Sequence, residues 1–440
     1  MLAIVVSRAD EASEHIGEHL LDVIEWDEHE DGTRSDADGG GRYHRAEGIE
    51  LRTFEDLHLD LDGVAAAFDD PEMLVFASRH AGETGELLTA HATGNFGPAE
   101  YGGRPGSLAR AAPNALSAVR ERLETYAPEG YDVGIECTHH GPSTVGCPSL
   151  FVEVGSAAAQ WRDPEAARAV ARAIVDLRDV AAHRKRTVVG FGCGHYAPRF
   201  DRITTDTDWG VGHIAADWAL EAMGDPGDAR AVIAKAFQMS GSEFAVIEGT
   251  RPELESVIEE IGFEILSETF LRETTGVPLG LVGRLEAELA GVDEGLRFGT
   301  PAAGHDGEFV TAALPEALLD EANGIDRDAV LETLDETAFA YETTEGATLV
   351  SGSVALEPGG YDAVIDGLAA ILRAKYETVE RRESEVVATR TAFDPELARE
   401  AGVDPGPAFG RLSAGEAVDV DGERIDPSDV RTARERRFPT

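Results

Sequence analysis

Residues 133–154 read VGIECTHHGPSTVGCPSLFVEV. Val133–Glu136 and Leu150–Val154 are short apolar runs with β-branched residues, long enough for strands and too short for helices. The loop between them carries two adjacent histidines. The same rhythm extends outward. Upstream, Leu2–Ser7 (LAIVVS), Met73–Ser78 (MLVFAS) and Leu87–Ala90 (LLTA) read as strands; downstream, Thr187–Phe191 (TVVGF) and Phe244–Ile247 do. Helical spacing fills the gaps. Asp10 is placed to cap a helix running to about Ile24. Leu116, Val119, Leu123 and Tyr126 repeat at helical spacing behind Pro113. Residues 163–183, Gly212–Met223, Asp228–Met239 and Pro252–Ile261 also read as helices. Strands alternating with helices to about residue 272 predict an α/β layered sheet. Residues 27–48 are acidic, Gly-rich and unpatterned, and read as a surface insertion. After residue 276 there is no Cys or Trp, and acidic helices lie between Gly/Pro turns. Residues 276–440 therefore read as an appended α+β domain behind a catalytic region, 1–275.

The composition bounds the function. Against 38 Lys and Arg stand 84 Asp and Glu, a net charge of −46, and only Lys185, Lys235 and Lys375 are lysines. With 42% apolar residues the chain can build a core, so the acidity reads as adaptation to high salt, where self-repulsion is screened. Such a charge excludes bulk coating of DNA or RNA. One basic island, Arg162–Arg186, is the candidate footing for a single nucleic acid. The opening apolar run is too short for a signal peptide or a membrane span. Three cysteines without a CxxC pair argue against a disulfide framework or a cysteine zinc site, and fit a reducing cytoplasm. A cytoplasmic, non-membrane monomer is the expected state.

Chemistry is concentrated in the histidines. His80 follows MLVFAS, His91 follows LLTA, and His195 follows VVGF in GCGHYAPR. Glu136, His139 and His140 follow VGI, and Glu153 sits in FVEVGS. Ligands of open α/β sheets bind beyond the strand carboxyl ends, so these groups are expected to meet in one pocket. Imidazole and carboxylate suit Zn²⁺, and a catalytic zinc uses three protein ligands plus water. On an extended path His139 and His140 would point to opposite sides, so only one is expected as a primary ligand, the other as base or orienter. Glu153 is a candidate for holding a histidine tautomer. His15, His19, His29, His44 and His58 read as surface residues, and His213 is ambiguous. Cys193 beside His195 raises a Cys–His nucleophile, although a small residue filling a Gly-rich turn accounts for it.

Together SRHAGETGELLTAHATGN, IECTHHGPS, LFVEVGSAAAQW, GFGCGHYAPRF and LRETTGVP resemble the archaeal and plant type of D-aminoacyl-tRNA deacylase, over about residues 1–280. The resemblance implies hydrolysis of the ester joining a D-amino acid to the 3′ end of tRNA, with Zn²⁺ as cofactor. It also implies a three-layer α/β/α sandwich with a mixed sheet, of phosphorylase/hydrolase-like type and related to peptidyl-tRNA hydrolases. Carried onto this chain, it marks His80, His91, Asn95, Glu136, His139, His140, Glu153, His195 and Tyr196. The resulting expectation has His80, His91, His139 and His195 on the metal. His140, Glu136 and Glu153 are then catalytic, and Asn95, Tyr196, Arg184, Lys185 and Arg186 bind substrate. The compact form of the family lacks residues 276–440. Two rivals are another zinc hydrolase, such as a peptidase or amidase, and a non-catalytic RNA- or nucleotide-binding module.

Overall fold

β1 (Leu2–Ser7) is buried at every position, as a strand covered on both faces should be. α1 (Glu11–Val23) follows, and the Asp10 carboxylate accepts hydrogen bonds from the Ala12 and Ser13 amides. Then come β2 (Asp27–Asp31), β3 (Gly41–Ala46), β4 (Ile49–Phe54), β5 (Met73–Arg79), β6 (Leu87–Ala92), and the two-residue strands β7 (Gly94–Asn95) and β8 (Ser107–Leu108). α2 (Pro113–Tyr126), β9 (Asp132–Ile135), β10 (Ser149–Gly155), α3 (Ala158–Trp161) and α4 (Pro164–Val175) complete the first half. Eight strands form one mixed sheet in the order β2-β3-β4-β1-β5-β10-β6-β9. β4, β1, β5 and β10 run parallel; β6 turns antiparallel to β10, and β9 follows β6.

The second half holds β11 (Thr187–Phe191), α5 (Pro198–Asp206), β12 (Gly210–Ala215), α6 (Asp217–Met223), α7 (Arg230–Ser240), β13 (Phe244–Ile247), α8 (Pro252–Glu260) and β14 (Glu264–Ile265). Its strands make a separate parallel sheet, β12-β11-β13-β14. The expected single layered sheet is thus two sheets. They are joined through the segment after β9, where the Cys137 amide donates to the His195 carbonyl (2.9 Å) and the Thr138 amide to the Ile214 carbonyl (2.8 Å).

The structure describes residues 1–420 and 422–440. The chain divides into two units, Met1–Thr275 and Gly276–Thr440. In the first, α1, α2 and α4 pack against one face of the eight-stranded sheet. The other face carries Ala3, Val5, Leu74, Phe76 and Phe151 and is covered by loop residues, among them Val64, Ala65, Phe68, Val145 and Cys147. This helix-free face holds the site.

Three expectations are corrected. Residues 27–48 lie at the surface but are patterned: β2 and β3 form an antiparallel hairpin, Asp27 opposite Arg45, that extends the sheet edge. Their alternation is masked in sequence because an edge strand of a highly charged protein has no apolar face. GVGHIA is the buried strand β12, and only Asp217–Met223 is helical; the β-branched run outweighs the helix formers behind it. His58 is 1% exposed rather than on the surface.

The second unit packs helices Glu316–Ile325, Arg327–Thr337 and Tyr361–Ile371 with two antiparallel sheets around one apolar core. No helix among the described residues is long and apolar enough to cross a membrane.

Candidate active site

The mixed sheet decides where the histidines meet. Glu153 lies within β10, two residues from Phe151 and therefore on the same face. His91 is directly opposite Phe151 across the antiparallel pair, and their rings stack at 5.1 Å with an interplanar angle of 9°. His80 lies one residue past the end of β5, and its amide donates to the Val154 carbonyl (2.9 Å). The groups therefore gather on the helix-free face and not beyond a common carboxyl edge, because β6 runs against β5 and β10.

The segment after β9 brings the rest. The Glu136 amide donates to the Ala90 carbonyl and the Gly94 amide to the His140 carbonyl. The backbone here is irregular rather than extended, so His139 and His140 do reach one place, their ring centroids 4.3 Å apart. Both also lie 4.5 Å from the His91 ring. Candidate donor atoms of His91, His139 and His140 fall within 4.8 Å of one another, as do those of His80, Glu136 and His195, and of His91, Glu136 and Glu153.

Hydrogen bonds divide the cluster into two halves. His91 Nδ1 contacts the Ala92 carbonyl (2.9 Å) and His139 Nδ1 the Cys137 carbonyl (2.8 Å). A carbonyl only accepts, so Nδ1 carries the proton in each ring and Nε2 keeps its lone pair. His91 Nε2, His140 Nδ1 and Glu153 Oε1 are buried with no hydrogen-bond partner among the described residues. Glu136 Oε1 is likewise unpartnered. Buried polar atoms are rarely left this way, and donor atoms of His91 with His139 and His140, or of His91 with Glu136 and Glu153, lie close enough together to share a cation. Burial pushes His91 down to about 4 and His139 down to about 3, and lowers His140 well below its ordinary value. All three are neutral, as metal-binding imidazoles must be. The cluster could hold a metal ion.

The second half is an ion-pair triad. His195 Nε2 lies 2.8 Å from Glu136 Oε2, and His80 Nδ1 3.1 Å from Glu136 Oε1. Burial alone would raise the Glu136 carboxyl, but bonds from His195 and His80 outweigh it and hold it well below the usual range. Burial would lower the two histidines, and Glu136 instead raises both. Burial, reinforced by the Glu136 charge, pushes Glu153 well above the carboxylate range. Two buried carboxyls in one site are thus shifted in opposite directions. The Cys193 thiol is pushed up to about 12 by burial, the reverse of what a thiolate nucleophile needs.

A cavity of about 440 Å³ opens from the cluster, lined by His80, His139, His140, Glu153 and His195 and by Asp10, His58, Ser78, Arg79 and Tyr101. Tyr196 is 38% exposed, and its hydroxyl meets His80 Nε2 at 3.1 Å. Asn95 is buried; its amide donates to the Gly102 carbonyl (3.0 Å), bracing the loop that carries Tyr101. His213 stands apart, bonded to Thr138 Oγ1 and the Ala109 carbonyl. Arg184, Lys185 and Arg186 are not brought to the cluster. They precede β11, whereas His195 follows it. Arg184 bonds Asn114 and the Asp208 carbonyl, and Arg186 bonds Asp208 and the Thr274 carbonyl. Sequence reading set His58 at the surface and did not single out Arg79, the last residue of β5, or Tyr101, which sits in an unpatterned turn.

A profile of the D-aminoacyl-tRNA deacylase family matches residues 67–266, the span that supplies every member of the cluster. A D-aminoacyl-tRNA deacylase of Natronomonas pharaonis is 67% identical over 439 residues, covering all of both chains. The chain belongs to the D-aminoacyl-tRNA deacylase family. A family member from Halorubrum lacusprofundi is 52% identical over all of this chain and 97% of its own, and one from Methanoregula boonei is 33% identical over 99% and 98%. Residues 276–440 are therefore shared with full-length members. A crystal structure of a conserved protein of unknown function is 29% identical, with a TM-score of 0.55, over 62% of this chain and 98% of that one. A form without the extra length exists beside the longer one.

Proposed function

We propose that this protein hydrolyses the ester between a D-amino acid and the 3′ end of tRNA. The observation that carries the reading is the buried convergence of His80, His91, His139, His140 and His195 on Glu136 and Glu153 at a cavity. The chain is also full-length kin to proteins named for that activity. The unpartnered nitrogens support His140 beside His91 and His139 as metal donors, with Glu153 adjoining. Imidazole and carboxylate donors fit Zn²⁺. When bound, zinc supplies a Lewis acid that polarises a carbonyl and brings a water to a pKa near about 7. His80 and His195, first read as ligands, also pair with Glu136; their donor atoms with its carboxylate form a second group that could hold a metal ion, and in this reading they act as partners of Glu136.

The chain's own groups then divide the work. The ionised Glu136 fixes the His195 ring through Nε2, and His195 is 32% exposed at the cavity wall. In this reading His195 takes the proton of the attacking water on Nδ1, the nitrogen not bonded to Glu136, and returns it to the departing ribose oxygen. His80 ties Glu136 to the Tyr196 hydroxyl, which orients the ribose or the α-amino group. In this reading chirality is read by steric exclusion of the side chain of an L-residue. The fold is read as a phosphorylase/hydrolase-like sandwich in which loops replace helices over the site. A cytoplasmic location follows from a tRNA substrate.

The test is release of D-tyrosine from D-tyrosyl-tRNA by protein purified at high salt, with the L-ester as control and metal content measured alongside. We expect selective D-ester hydrolysis and at least one zinc per chain. Undiminished activity in metal-free protein would remove zinc from the reading; no D-ester hydrolysis by metal-loaded protein would remove the function.

A further inference from the structure

The second unit contains a cationic surface in a chain of net charge −46. Its three-stranded sheet is formed by Thr378–Arg381, Glu385–Phe393 and the C-terminal strand Arg431–Pro439. Antiparallel register places Val386 opposite Phe438, Ala388 opposite Arg436, and Arg390 opposite Arg434. Directly opposed residues share a face. At one end this face is apolar, Val386, Ala388 and Phe438 joining the core. At the other it presents Arg390, Arg434 and Arg436, all exposed.

Charge compensation differs between the two faces. On the far face Arg437 is paired with Glu385 (3.1 Å) and Glu435 (2.6 Å). On the near face Arg436 and Lys375 share a single carboxylate, Glu321. Among the described residues Arg390 lies over the Tyr376 ring, 5.8 Å from its guanidinium carbon. Neither Arg390 nor Arg434 is ion-paired among the described residues. Like charges directly opposite one another destabilise a sheet, and Asp and Glu are more than twice as numerous as Lys and Arg in this chain. An arginine pair without a carboxylate partner among the described residues carries a cost that an external anion would offset.

We propose that this arginine face binds the phosphodiester backbone of the tRNA, and so that the second unit supplies substrate affinity without chemistry. The inference rests on the tRNA-ester reading of the first unit. Guanidinium forks match phosphate oxygens bidentately, and such contacts add affinity without sequence preference. The pairing of Arg184 and Arg186 within the first unit leaves that role open.

The experiment uses the full chain, at the lowest salt that keeps it folded, with uncharged tRNA as the binding probe. Arg390→Gln with Arg434→Gln should weaken tRNA binding about tenfold or more, and should lower the slope of log affinity against log salt by about 1 to 2. KM for D-tyrosyl-tRNA should rise with kcat unchanged, and hydrolysis of D-tyrosyl-adenosine, which lacks the backbone, should not change. Arg434→Glu is the second variant. It gives Arg390 an opposite-charge partner, so melting temperature should hold or rise while tRNA affinity falls. Unchanged affinity and salt slope in these variants overturns the proposal. So does an equal loss in Arg42→Gln with Arg230→Gln, which removes two exposed, ion-paired charges elsewhere. Wild-type protein that binds tRNA through these arginines but does not cleave the ester would refute the function and leave the surface standing.

Discussion

Glu136 is the residue on which the two halves of the site turn. Its Oε2 is hydrogen-bonded to His195 and its Oε1 faces His80 Nδ1 at 3.1 Å, and Gln has the same shape without the charge. Glu136→Gln should lower kcat by about 10²- to 10⁴-fold, the usual worth of a positioned proton-transfer group, with a small change in KM and a retained fold. Steady-state kinetics on D-tyrosyl-tRNA checks this; a kcat within threefold of wild type would mean that the triad is only structural. His140→Ala removes an unpartnered donor instead. It should lose bound zinc as well as at least 100-fold in kcat/KM, about 3 kcal/mol, and metal analysis separates it from the Glu136 variant. His213 makes a prediction about stability. Burial pushes it down to about 4, below the unfolded value near about 6.5. The unfolded chain therefore takes up this proton first as pH falls. The stabilisation is complete above about pH 6.5 and is lost toward pH 4, by at most about 3 kcal/mol. His213→Asn should flatten that part of the curve of melting temperature against pH. Parallel curves for the two proteins would show that another group governs the acid limb.

Among the elements, the segment after β9 does the most with the least regular structure. It crosses between two sheets and is held by backbone bonds from both. Its close fit is visible at Gly141, where a Cβ would lie 2.5 Å from Gly102 C and Gly103 N. Those are backbone atoms and cannot swing away. Gly141→Ala should cost about 1 to 3 kcal/mol of stability, the range for overpacking, and should reduce zinc content because His139 and His140 shift with the segment. A thermal melt and a metal assay on one preparation test both effects; a variant with wild-type stability and full zinc would show that the loops separate freely. In sequence this segment was recognisable as a loop with two histidines. The alternation rule for strands wrongly set them on opposite sides, because β9 ends at Ile135 and the rule does not hold beyond a paired strand.

At the scale of the molecule, charge and division into units make separate claims. At −46 the folded chain repels itself, and salt screens that repulsion. Its melting temperature should rise as KCl goes from about 0.1 M toward molar concentrations, where the Debye length falls to about 3 Å. A melting temperature independent of salt would mean that the acidic surface is spaced widely enough to need no screening. The second claim concerns the boundary after Thr275. A chain ending there should still cleave D-tyrosyl-adenosine and should bind tRNA more weakly. A folded truncated protein inactive on that small ester would place part of the chemistry beyond residue 275.

Composition and short-range pattern were enough to recover half the strands of the first unit, the cap of α1, the start of α2 at Pro113, the acidic habit and the residues that meet in the cluster. These depend on local periodicity and residue type, which need no partner across the fold. Strand direction and ring orientation were different. Whether β6 runs with or against β10 depends on which strands pair, and that reversal moves the site from a strand edge to the middle of a face. Which of the histidines keep a free lone pair depends on carbonyls and carboxylates brought from β6, β9, β10 and the turn after β11. His58 is buried, and Arg390 stands opposite Arg434 without a carboxylate, only because distant segments pack or pair with theirs. Such facts belong to long-range packing, where the energy of a side chain is set by neighbours that chain order does not reveal.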